Sequence, residues 1–71
     1  MTSSVEKMKV AIKAVETAKL IEISIMLAWS NDGDEIIAAE FVEAELESRM
    51  SEAAFVAHMN AVESIMDARA A

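Results

Sequence analysis

The chain has 71 residues, a formal charge of −7 and no cysteine. The lack of cysteine excludes a disulfide or thiolate-zinc scaffold, and the acidity disfavours direct binding of nucleic acid, which needs lysine and arginine against phosphate. What remains is one small domain over residues 1–71 whose own core is marginal, because a chain this short buries only about 60% of its unfolded surface. Oligomerisation is the obvious remaining support. The start "MTSSVEKMKV" has no basic stretch leading into an uninterrupted apolar core, and the greasiest segment, Leu20 to Trp29, is too short to cross a bilayer and contains Glu22. The expectation is a cytoplasmic chain with no membrane partner.

In chain order, the spacing predicts a first helix over about 4–29, capped by Ser3 or Ser4. Val5, Met8, Ile12 and Val15 fall at three- and four-residue steps, and Ile23 and Met26 return to that stripe. A second stripe lies nearly opposite: Ala11, Ala14, Ala18, Ile21, Ile25 and Trp29. A helix apolar on two faces is packed on two sides. The second stripe is therefore assigned to a symmetric homodimer, with Ala11, Ala14, Ala18, Ile21 and Ile25 at the interface. "LIEISIMLAW" also alternates at period two, the pattern of a strand. Taken as a strand followed by two helices, the chain resembles ribbon-helix-helix regulators in outline. Those proteins read DNA with polar and basic strand residues, whereas the alternating residues here are isoleucine, glutamate and serine. Val5–Val15 is helical in period, with no break before Leu20 and no other alternating segment, so the helical reading is preferred.

"SNDGDE", Ser30 to Glu35, is the one strong punctuation. Asp32 with Glu35 reads as a capping box, with Asp34 as the competing cap, and Gly33 is the expected site of a positive φ. A calcium loop does not fit, because Ala28 and Ala39 would fall where oxygen ligands are needed. A second helix follows over about 34–48, with Val42, Leu46 and Met50 as its stripe. The stripe of the last segment, Phe55, Met59, Val62 and Met66, points the opposite way. A break near Ser48–Ser51, with Ser51 capping a third helix over about 51–69, resolves the conflict; a continuous helix sandwiched between two chains would also do so. The fold expected is all-α, a helical hairpin or three-helix subunit.

No catalytic constellation, metal set or cofactor motif emerges. His58, the single histidine, is flanked at helical spacing by Ala54, Phe55, Ala61 and Val62, none a ligand, and no obvious nucleophile is placed beside it. It reads as structural. Residues 1–29 carry four lysines against three glutamates, net +1, while residues 30–71 carry ten acids against Arg49 and Arg69, net −8. Glu40, Glu43 and Glu47 share one ridge. They read either as a solvated face or as a surface for a basic partner. The function expected is a non-enzymatic protein-interaction module: a small bacterial or phage inhibitor that blocks a larger, basic protein through an apolar helical groove rimmed by acids. Trp29, Phe41 and Phe55 are the expected aromatic contacts. The rival expectation is an acidic nucleic-acid mimic, of anti-restriction or anti-CRISPR type, filling a basic channel.

Overall fold

A computed structural model describes residues 4–70. The chain is all-helical there, with α1 over Ser4–Lys13, α2 over Thr17–Ala28, α3 over Gly33–Arg49 and α4 over Glu52–Ala70. No strand occurs among the described residues, and Leu20–Ala28 is helical. The Ser3 cap lies outside the described residues.

The expected first helix is two helices. Ala14 and Val15 donate their N–H groups to the Ala11 and Ile12 carbonyls at i to i+3 spacing, so the last turn of α1 tightens and stops. Glu16 is extended (φ −65°, ψ 148°) and opens α2. The physical reason lies in the phase of the apolar residues. Met8, Ile12 and Val15 face one direction. Leu20, Ser24 and Ala28, the buried residues of α2, would face about 150° away on a continuous helix turning about 100° per residue. Breaking the rod at Glu16 lets both stripes reach α3.

The conflict between the stripes of α3 and α4, about 160° by the same arithmetic, is resolved the same way. Met50 is extended (φ −101°, ψ 155°), and Ser51 Oγ accepts the Ala54 N–H at 3.2 Å. At the other turn, Asp32 Oδ1 accepts from the Asp34 and Glu35 N–H groups at 2.8 and 3.3 Å, while the Asp32 N–H goes to Ser30 Oγ at 3.0 Å. Gly33 corrects its expectation: it has no positive φ and stands as the first residue of α3.

α2 and α3 form the central antiparallel hairpin. α1 lies beside the C-terminal half of α3, with Lys9 Nζ 5.3 Å from the centre of the Phe41 ring. α4 runs beside α2, from Phe55 near the start of α2 to Arg69 at its end. The core is small: Leu20, Val42 and Leu46, joined by half-buried Ile12, Ile21 and Phe55 among others. The molecule is flattened, with extents of 42 × 28 × 15 Å.

Candidate functional site

Two arginines organise the two ends of the hairpin, and each sits in the last turn of its helix. Arg49 ends α3. Its Nη1 donates to the Val15 carbonyl at 2.6 Å and to Thr17 Oγ1 at 3.4 Å. Its Nη2 donates to the Lys13 carbonyl at 3.0 Å and the Ile12 carbonyl at 3.4 Å, and its Nε pairs with Glu45 at 2.8 Å. Helix ends leave carbonyls without partners, and here the guanidinium fork closes the end of α1. The sequence reading gave Arg49 no role. Its only signal there is position, one cation in an acidic helix, three residues after the apolar stripe residue Leu46.

Arg69 ends α4 and donates Nη1 to the Ser30 carbonyl beyond α2. Here the helices do not close. A cleft of about 360 Å³ opens between them. Leu27, Ala28 and Ser30 line it from α2 and the turn; Ile36, Ala39, Glu40 and Glu43 from α3. From α4 come Met59, Val62, Glu63, Met66 and Arg69. The lining is mostly apolar, with three carboxyls and one guanidinium at its edges. Burial, and then the neighbouring Glu40 carboxylate, push the Glu43 carboxyl above the usual range.

Between these ends lies a buried polar pair. His58 Nε2 is 3.0 Å from Ser24 Oγ. No obvious nucleophile was expected beside His58, and the serine within hydrogen-bond reach of it is a buried one. Ser24 is 0% exposed, so the hydroxyl is sealed from any incoming molecule, and the bond satisfies two polar groups inside the core. The signal was present but unused: Ser24 shares a stripe with Leu20 and Ala28, and His58 shares one with Val62. Among the described residues no cluster of three or more His, Asp or Glu side chains could hold a metal ion.

The expected contact residues are not gathered into one surface. Glu40 and Glu43 border the cleft, whereas Glu47 is exposed further along α3. Phe41 faces α1 under Lys9, Phe55 packs on the core, and Trp29 stands 58% exposed at the end of α2. The residues assigned to a dimer interface are also divided by the break at Glu16. Ala11 lies on α1, Ala14 in the junction, and Ala18, Ile21 and Ile25 on α2. The three alanines are exposed and both isoleucines half-buried; Ile21 packs on the chain's own core.

No family model, curated protein or solved structure matches this chain. Among the described residues, no helix is long and apolar enough to cross a membrane.

Proposed function

We propose that the protein is a non-enzymatic protein-interaction module, a small inhibitor or regulator that holds a segment of a larger protein in the cleft between α3 and α4. The observation that carries this reading is the cleft itself: an apolar trough with Ile36 and Met66 at its open edge, bordered by acids on both walls. Concave, mostly apolar surfaces with a few placed polar groups are the usual form of a binding site. Acids at the rim speed encounter with a basic partner while the apolar floor holds it. In the nucleic-acid-mimic reading, Glu40, Glu43 and Glu47 act as one exposed row. Glu43 is half-buried in the cleft, which favours the module.

Self-association belongs to the same proposal. The chain exposes 4958 Å², against about 4,300 Å² for a compact monomer of its mass. The outer side of α2 carries exposed Ala18, Met26 and Trp29 around the exposed Lys19–Glu22 ion pair, and a two-fold contact there would cover them.

The test compares capture from extracts of the source cells by the wild type, Met66→Glu and Glu47→Lys. A partner held in the cleft is kept by the wild type and Glu47→Lys and lost by Met66→Glu; equal retention by all three ends the proposal. For the dimer, Met26→Glu on the outer side of α2 should halve the sedimenting mass, and a wild type that sediments as a monomer removes it.

A further inference from the structure

The cleft also constrains what it holds, given the proposed role in binding. Its walls are helices, whose backbone N–H and C=O groups are already paired within each helix. It therefore offers no open edge to which an extended peptide could add as a strand. An occupant entering an apolar trough must satisfy its own backbone, which a helix does. Along α4 the lining runs from Met59 to Arg69, about 15 Å at 1.5 Å per residue, or roughly three turns of a bound helix. Glu40 and Glu43 stand on one wall and Glu63 on the other. The single cation, Arg69, is already donating to the Ser30 carbonyl.

We infer that the occupant is a short amphipathic helix of another protein, apolar on the face that enters the cleft and lysine- or arginine-bearing on both flanks, with one cation placed against Glu43. The half-buried Glu43 carboxyl is pushed upward by burial and by Glu40 and forms no ion pair with another of the described residues; a cation from the partner supplies one. A second copy is a poor occupant. Its one lysine-rich helix, α1, has its half-buried Met8 and Ile12 on the inner side and presents Val10 as the main apolar residue of its outer side, too little to fill the trough.

The experiment uses the full chain and two synthetic probe helices about twelve residues long. One has leucines on one face and lysines on the flanks; the other has glutamates in place of the lysines. Amide shifts map the binding surface and calorimetry gives affinity. The leucine–lysine helix is expected to shift Ile36, Glu43, Val62 and Met66 and to bind about tenfold tighter than its acidic counterpart. Met66→Glu should abolish that binding, and Glu43→Gln should weaken it several-fold, with helicity of both variants checked by circular dichroism.

Equal binding of both probes in the cleft overturns the basic occupant while leaving the interaction module in place. Shifts centred on Glu47 and Glu52 instead show charge attraction alone and overturn the inference. So do cleft shifts that grow with protein concentration without any probe, because a second copy then fills it. The interaction module itself fails on the separate result that Met66→Glu captures the same partner as the wild type.

Discussion

The two ends of the α2–α3 hairpin are built from the same parts and finish differently. At each end an arginine in the last turn of one helix reaches the terminal carbonyls of another. Arg49 satisfies three carbonyls and a hydroxyl and is itself held by Glu45, and the core of Leu20, Val42 and Leu46 lies beside it. Arg69 donates to Ser30 alone among the described residues, and beside it the helices part into a cleft. One end is used for stability and the other leaves surface uncovered. A chain this short buries only about 60% of its unfolded surface, and at the open end Ile36 and Met66 stay exposed.

Substitutions should sharpen the contrast, and Arg49→Ala should have the largest effect. It leaves the end of α1 and the Glu45 carboxylate without partners and should cost about 2–3 kcal/mol, read as a drop in melting temperature together with faster amide exchange across α1. Loss of less than that from Arg49 than from Arg69 would break the comparison.

Ser24→Ala strands His58 Nε2 in the middle of the fold and should cost about 1–2 kcal/mol; adding His58→Leu should recover most of it, since removing both partners of a buried bond is nearly neutral. Chemical denaturation of the two single variants and the double variant measures this coupling.

Arg69→Ala removes one bond at the open end. It should cost about 1 kcal/mol or less, and its exchange effects should be confined to the end of α2 and the last turn of α4.

Gly33→Ala should stabilise by about 0.4–1 kcal/mol. Gly33 has no positive φ, nothing lies within 4 Å of an added Cβ, and alanine restricts the unfolded chain more than glycine does. A lower melting point would contradict this placement.

The smallest effect is electrostatic. The Glu43 carboxyl is raised in the fold, so folding favours its protonated form. Its contribution is most favourable at low pH and declines as pH rises from the unfolded value through the folded one. Glu43→Gln should remove that decline and raise stability at neutral pH by a few tenths of a kcal/mol, because solvent screens a half-exposed carboxyl. Urea titrations of wild type and variant at acidic and neutral pH would reveal the difference; a gap that widens toward low pH reverses the sign.

Much of the helical architecture was legible. The caps at Asp32 and Ser51 and the buried Val42 and Leu46 follow from short-range spacing and side-chain chemistry, whereas the break before α4 was one of two arrangements the stripes allowed. The break at Glu16 was missed, although it obeys the same phase rule that offered a break near Ser48–Ser51 as one of two ways to reconcile the stripes of α3 and α4. Two divergent apolar stripes on one segment were read as two packed faces of a straight rod, and the lack of glycine or proline concealed the bend. For the cleft, the sequence suggested an apolar groove rimmed by Glu40, Glu43 and Glu47, of which Glu40 and Glu43 line it. The pairing of those acids with Glu63, and the removal of Phe41 and Phe55 to other surfaces, were not foreseen.

The sequence by itself determined that the chain is helical, where the turn at Ser30–Asp32 falls, and which face of α3 is apolar. These are local matters of propensity, capping and period. Only the tertiary structure decided that α1 and α2 part company, that Arg49 spans more than thirty residues to close α1, that Ser24 meets His58, and that α3 and α4 diverge. Each of those outcomes depends on the distance between groups far apart in the chain, and that distance is set by how the apolar stripes find one another, which no local pattern encodes.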